Sequence, residues 1–332
     1  MIVYITGAAG FIGFHLSQAL LNAGHTVRGI DSMSDYYDIR LKEDRLALLR
    51  ENDGFSFSMT DISDANSIMS DIGSSKPDIV FHLAAQAGVR YSLDEPATYV
   101  TSNLVGTANL LEAIRHNPVK HLLFASTSSV YGGNLALPFS ELHTTDAPQS
   151  LYAATKRGCE ALLHSYSHLF GIPTTAFRFF TVYGPWGRPD MALFKFVRAA
   201  MDGGEIDVYG YGQPSRDFTY IDDLVSAVLA LAECVPEKGK PVSSIDSLSP
   251  VAPFRIVNIA GGKGVKLPEF IAAVESATAA SLPQRQLPMQ PGDVMVTEAD
   301  PELLRQLTGT VPRTDVTKGV SEFVRWYREY YE

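Results

Sequence analysis

Along the N-terminal half of the chain, short apolar runs alternate with longer stretches in which apolar positions recur every three to four residues. The runs Ile2 to Thr6, Thr26 to Asp31, Phe55 to Met59, Ile79 to Leu83 and His121 to Ser126 read as buried parallel strands. Between them, Phe11 to Ala23, Ile39 to Arg50, Ser63 to Ile72 and Ala97 to His116 carry helical spacing, and so does Leu151 to Phe170 further on. A βαβα repeat of this kind predicts an α/β protein with a doubly wound parallel sheet. After about Phe180 the alternation fades into Gly- and Pro-rich turns, Tyr183 to Pro189 and Tyr209 to Pro214, and then into a polar segment, Pro236 to Pro253. That segment reads as a flexible surface excursion. The last stretch, Val316 to Tyr331, reads as an aromatic-rich helix docked on the body.

Composition narrows what such a chain does. With 332 residues and 45% apolar content it can bury a large core. A formal charge of -10, a pI near 5.3 and no run of Lys or Arg disfavour nucleic acid as a partner. The two cysteines, Cys159 and Cys234, have neither metal-ligand spacing nor a disulfide framework, which points to a reducing, cytoplasmic setting and to no metal. The first residues, MIVYITG, run straight into a strand pattern, and no apolar stretch approaches the ~20 residues that span a bilayer, so no membrane is expected.

Chemistry enters at the first strand-to-helix turn. Gly7, Gly10 and Gly13 follow the first strand and open the first helix around Phe11 and Ile12. Missing side chains there allow a tight turn, close approach of a pyrophosphate and close helix packing. The helix N-terminus then stabilises the anion with backbone N–H groups and its dipole. Asp31 ends the second strand, 18 residues past Gly13. Its carboxylate accepts hydrogen bonds from a ribose 2'-hydroxyl and repels a 2'-phosphate, which favours NAD over NADP. Asp61 and Ile62 after the third strand, and Leu83, Ala84 and Ala85 at the end of the fourth, arrive at the same sheet edge. Asp61 is open to two readings, an adenine contact or a helix N-cap.

Tyr152 and Lys156 share one face of a helix at i, i+4 spacing. A fixed ammonium favours the phenolate, so the pair is expected to lower the tyrosine pKa from ~10 toward neutrality and make a general base. Thr127, Ser128 and Ser129 follow the fifth strand and bring hydroxyls to the same edge. The expectation is a Rossmann-type cofactor domain over residues 1–180, including the Tyr/Lys helix. Residues 181–332 mostly form a smaller C-terminal substrate-binding lobe, with some segments returning to the first domain.

The pattern resembles the extended short-chain dehydrogenase/reductase family and, within it, the UDP-glucuronate 4-epimerases, over nearly the whole chain from Ile2 to Tyr331. The family likeness lies in Gly7-x-x-Gly10-x-x-Gly13, in His82 to Arg90, in Thr127-x-x-Val130-Tyr131-Gly132 and in Tyr152-x-x-x-Lys156. The subfamily likeness lies in Arg178 to Ala192 and Leu287 to Val294. The resemblance implies that Tyr152 takes the proton of the sugar 4-hydroxyl as NAD accepts hydrogen from C4, giving a 4-keto sugar that turns over before reduction on its other face. It further implies that Thr127 bonds the 4-oxygen or relays its proton and that Lys156 also holds the nicotinamide ribose.

The sister reactions differ at a few positions. Decarboxylating relatives place Glu where this chain has Ser129, and 4,6-dehydratases place Asp-Glu where it has Ser128-Ser129. Two serines instead suit a carboxylate, which Arg188 and Thr181 would hold by charge-assisted bonds. UDP-galactose 4-epimerases usually carry Asn in the place of Thr181. By the same resemblance Tyr209, Gln213 and Arg216 grip the uridine diphosphate, while Gln290 and Asp293 touch uridine or ribose. Arg90 is open to two readings, a place near the substrate or an ion pair with Asp94. Helices Ala97 to His116 and Leu151 to Phe170 would pair between subunits, implying a homodimer. The competing readings are a 4-epimerase of another UDP-hexose, a UDP-glucuronate decarboxylase, and a non-catalytic NAD-binding regulator.

Overall fold

A computed structural model describes residues 1–290 and 292–332; Pro291, within the Leu287 to Val294 motif, lies outside the described residues. Seven parallel strands form the main sheet: β1 (Ile2–Thr6), β2 (Thr26–Asp31), β3 (Phe55–Met59), β4 (Ile79–His82), β5 (His121–Thr127), β6 (Thr174–Phe179) and, much later in the chain, β10 (Phe254–Ile259). Their order is β10-β6-β5-β4-β1-β2-β3. Strands β4, β5 and β6 are buried at every position, as parallel strands covered on both faces require. The chain runs outward from β1 through β2 to β3, then crosses to the other side of β1 to lay down β4. That reversal opens a crevice at the strand C-termini between β1 and β4, where sheets of this kind bind ligands.

The second half builds a lobe from short strands: β7 (Thr181–Tyr183), β8 (Ile206–Tyr209), β9 (Ser215–Tyr220), β11 (Gly264–Lys266), β12 (Gln284–Leu287) and β13 (Val296–Thr297). β9 is its centre, antiparallel to β11 and parallel to β7 and β13, while β12 runs parallel to β8. Asp217 on β9, buried, accepts hydrogen bonds from the backbone N–H groups of Gly261, Gly262 and Ala299 and so ties the lobe to the chain that returns from β10. The C-terminal helix Val316–Tyr331 buries Phe323, Val324, Trp326 and Tyr327 against the rest of the lobe.

Three expectations need correction. The expected helix over Ala97 to His116 is not uniform: Pro96–Tyr99 is α-helical, Val100–Val105 is a π-helical turn, and Gly106–His116 resumes the α-helix. The fourth strand ends at His82, so Leu83 already belongs to the loop that lines the crevice. Within the polar segment 236–253, residues 246–251 are pinned rather than free, while 237–242 lie exposed on the surface. Asp246 takes a two-pronged hydrogen bond from Arg255 at 2.9 and 3.0 Å, Ser249 meets His164 at 2.8 Å, and the Val251 carbonyl meets His168 at 2.9 Å. Ser247 accepts from the Ile256 amide at 3.0 Å, which fastens the segment to β10. Asp246, Ser247 and Ser249 satisfy internal partners, which composition alone does not distinguish from solvation.

Candidate active site

The crevice is a cavity of about 1080 Å³ that runs from the glycine turn to β8, β9 and the Gly292–Val294 loop. At one end Gly7 sits at φ +75°, a conformation that favours glycine, and a Cβ there would lie 2.8 Å from the Ala84 amide nitrogen. A Cβ at Gly13 would lie 2.1 Å from the Gly7 carbonyl oxygen, so only glycine lets the first helix, Phe11–Asn22, pack on the turn. Gly10 caps that helix without a side-chain hydrogen bond, and no acidic residue occupies its first turn. Its leading N–H groups therefore remain available to an anion, and the cradle fits a dinucleotide pyrophosphate.

Gly7, Gly10, Phe11, Ile12, Gly13, Asp31, Asp61, Ile62, Leu83, Ala84 and Ala85 all line this end. Asp31 is buried, accepts from the Met33 amide at 2.9 Å, and has Lys42 at 3.4 Å. Lys42 was not read from the sequence. It lies on a helix whose charged residues look solvated, yet it turns inward to Asp31 and Ser34. Asp61 accepts from the Ser63 amide, and the N-cap of the following helix is Asp64, three residues later, leaving Asp61 at the cavity rim. The Leu83 and Ala84 amides donate to Thr6 Oγ1 at 3.1 and 3.0 Å, which fixes the start of the 83–90 loop.

Thr127, the last residue of β5, accepts from the Ser129 amide at 3.1 Å and donates to Ser129 Oγ at 3.2 Å, so it shapes the turn that presents Ser128 and Ser129. The helix Leu151–Phe170 starts at Ser150, whose hydroxyl caps the Ala153 amide. Tyr152 and Lys156 on it are both buried and both line the cavity. Lys156 Nζ donates to the Ala125 carbonyl at 2.7 Å and lies 4.6 Å from the Phe124 ring centroid. The expected depression of the tyrosine pKa is not present in the protein alone. Burial pushes the Tyr152 phenol up, against the opposing pull of a hydrogen bond from Thr127 and the charge of Arg188. Burial also lowers Lys156 to about 8, with Cys159 and Glu160 pulling the other way. Sequence spacing gave the pair's shared face; it did not show how little water surrounds it.

A residue that spacing missed joins these parts. Asn103, buried in the π-helical turn, accepts from the Gln86 amide at 2.9 Å and donates to the Gln86 carbonyl at 3.1 Å and to Thr155 Oγ1 at 3.0 Å. It thereby ties the 83–90 loop to the helix of Tyr152 and Lys156.

At the far end Arg90, Ser128, Ser129, Thr181, Arg188, Tyr209, Arg216 and Asp293 line the cavity. Arg188 is held by Asp190 through Nε at 3.0 Å and Nη2 at 2.5 Å. Arg90 pairs with Asp293 at 3.3 Å and lies 4.7 Å from the Tyr209 ring centroid, so the pair with Asp94 is not formed. Arg216 donates to the carbonyls of Ser215 and Met295. Gln213 and Gln290 do not line the cavity: Gln213 is exposed beside the turn, and Gln290 contributes its carbonyl to the Asp293 amide at 3.2 Å. Among the described residues no cluster of His, Cys, Asp and Glu suits a metal ion, and no helix is long and apolar enough to cross a membrane.

With this geometry in place, likeness to known proteins is informative. Residues 3–243 match the model of the NAD dependent epimerase/dehydratase family. The chain is 50% identical over 330 residues to a probable UDP-glucuronate 4-epimerase of Rhizobium meliloti (strain 1021), covering 98% of this chain and 97% of the relative. It is 42% identical over 334 residues to UDP-glucuronate 4-epimerase 4 of Arabidopsis thaliana, covering 99% of this chain and 76% of that one. In three dimensions it is similar to UDP-glucuronic acid 4-epimerase from Bacillus cereus, solved with UDP-glucuronic acid and NAD. The TM-score is 0.89, with 32% identity and all of both chains covered.

Proposed function

The chain belongs to the NAD-dependent epimerase/dehydratase family, and we propose on that premise that it interconverts UDP-glucuronate and UDP-galacturonate by inverting C4 of the sugar. One observation carries the reading. Tyr152, Lys156 and Thr127 open into the same cavity as Arg188, Thr181 and the serine pair Ser128-Ser129, with no acid at either serine position.

When bound, NAD supplies the reversible hydride acceptor that lets C4 pass through a ketone. The glycine turn and the uncapped first helix hold its pyrophosphate, and Asp31 holds its adenosine ribose. Tyr152 takes the proton of the 4-hydroxyl and later returns one to the same oxygen. Because burial keeps the free phenol protonated, this role needs positive charge next to it in the loaded enzyme; Arg188 already pulls in that direction, and Lys156, one helical turn away, is the second resident cation. Thr127 orients the 4-oxygen. A 4-keto sugar with a carboxylate on C5 is a β-keto acid, so the enzyme must control that carboxylate. Arg188, Thr181 and the serines do so, and no general acid stands at 128 or 129 to assist chemistry at C5 or C6. Arg216, Arg90, Tyr209 and Asp293 hold the uridine diphosphate.

Residues 1–180 form the NAD domain and most of 181–332 the sugar-nucleotide lobe. The enzyme acts in the cytoplasm as a homodimer, a reading supported by its two free cysteines and by apolar side chains left exposed on helices 96–116 and 151–170. The test is to incubate purified protein with UDP-glucuronate, without added NAD, and follow the sugar nucleotide by proton NMR. UDP-galacturonate is expected. A UDP-pentose would move the enzyme to the decarboxylases, and an unchanged substrate would overturn the assignment in favour of uncharged UDP-hexoses or of a regulator.

A further inference from the structure

Arg45 is a fully buried cation, and among the described residues no carboxylate lies within ion-pair distance of it. Burying a charge without an opposite one is costly and calls for a specific set of hydrogen bonds. Arg45 has such a set, made of backbone carbonyls and a phenol. Nη1 donates to the Ala9 carbonyl at 3.0 Å and meets the Tyr37 hydroxyl at 3.0 Å, while Nη2 donates to the Trp186 carbonyl at 2.6 Å and reaches Gly187 at 3.5 Å. One guanidinium thus bonds the cofactor turn, between Gly7 and Gly10, and the turn immediately before Arg188. His15, on the first helix, adds a third tether, Nε2 to the Pro185 carbonyl at 2.9 Å, which requires the ring to carry its proton on that nitrogen.

Three consecutive carbonyls, at 185, 186 and 187, therefore face inward to donors from the cofactor domain. Trp186 adopts φ +60° to allow it, a left-handed conformation uncommon for a bulky residue. Strain of this kind persists only where the surroundings enforce it and is concentrated at functional sites. The side chain of Arg188 is fixed from the same direction: Tyr36 donates to Asp190 Oδ2 at 3.1 Å, and Asp190 holds the guanidinium fork. Tyr36 and Arg45 both lie in the segment that follows Asp31.

We propose that Arg45 and Tyr36 are positioning residues that aim Arg188 at the sugar carboxylate, Arg45 through the inward-facing 185–187 backbone and Tyr36 through Asp190, so that recognition of the carboxylate is built from the cofactor side of the cavity. The inference rests on the reading of Arg188 as the carboxylate-binding residue. Arg45 does not line the cavity, and Tyr36, which does, commits its hydroxyl to Asp190; each acts by restricting the orientation of the fork, and a small misplacement of an oriented group is expensive.

The experiment compares wild type, Tyr36→Phe and Arg45→Met. The Michaelis constant for UDP-glucuronate is measured together with the competitive inhibition constant of UDP-glucose, which shares every group except the carboxylate. Tyr36→Phe removes one hydroxyl at a half-buried position and guards against a folding defect in Arg45→Met. In both variants the UDP-glucuronate constant is expected to rise about tenfold, with the UDP-glucose constant within about twofold of wild type and a UDP-pentose by-product appearing as carboxylate control loosens. Equal weakening of both nucleotides, or no change in either, in Tyr36→Phe would overturn the proposal. Failure of the wild-type enzyme to bind or convert UDP-glucuronate would instead overturn the functional assignment.

Discussion

The phenol of Tyr152 illustrates what a motif withholds. Its spacing from Lys156 is visible in the sequence, but burial dominates its protonation and raises its pKa. Tyr152→Phe should cut kcat by about 10²–10⁴, the usual worth of a positioned proton-transfer group, while bound NAD, read by absorbance of the denatured extract, stays at the wild-type level. Full activity would remove Tyr152 from the proton path. Glu141 makes a second prediction. It is buried, accepts from the Asn258 amide at 2.8 Å, and desolvation raises its pKa from 4.5 to about 7. A carboxyl whose folded pKa is raised stabilises the fold fully below its unfolded pKa, and that contribution is lost as pH rises through the folded value. Wild-type stability therefore loses up to about 3 kcal/mol from this group between pH 4.5 and 7. Glu141→Gln keeps an acceptor for Asn258, so the difference between variant and wild-type urea midpoints should grow in favour of the variant from pH 5 to pH 8. A constant difference would refute the assignment.

Elements were legible to the extent that one periodicity ran unbroken. The first three strands, the glycine turn and the helix 151–170 stand where their patterns put them, and the fourth and fifth strands differ by one residue at their ends, because burial on two faces or one stripe leaves a direct trace in residue type. The π-helical turn left none. Inserting it shifts the helical register within a single continuous apolar pattern, which brings Asn103 inward without altering the average spacing. The same limit hid Lys42 and Arg45: charged residues on a short helix read as its wet face, and only the fold shows that they turn toward Asp31 and Ala9. Gln213 and Gln290 err in the opposite sense, since a resemblance fixes a turn but not which of its side chains points inward. Asn103→Ala tests the register argument. It leaves the buried Gln86 amide and carbonyl and the Thr155 hydroxyl without that partner, so denaturant unfolding should show a loss of about 2–3 kcal/mol. Because the 83–90 loop and the Tyr152 helix would then drift apart, kcat should fall more than KM rises; loss of stability with unchanged kinetics would limit Asn103 to the fold.

For the molecule as a whole, helices 96–116 and 151–170 carry Val100, Val105, Leu169 and Phe170 largely uncovered. A face of this sort is the ordinary material of a subunit interface. Sedimentation of the wild type should give a mass near twice the 36.2 kDa of one chain, and Val105→Glu should shift it toward one. A monomeric wild type would remove the homodimer. The sheet order has a different consequence, in the time domain. β10, the outer neighbour of β6, is encoded about 75 residues after it, beyond β7, β8 and β9 of the second-half lobe. During translation at ~5–20 residues per second, the open edge of β6 waits roughly 4–15 s before its partner leaves the ribosome. The nascent chain carries an unpaired strand edge for that interval, and β7, β8 and β9 of the second-half lobe must be synthesised before the main sheet can close.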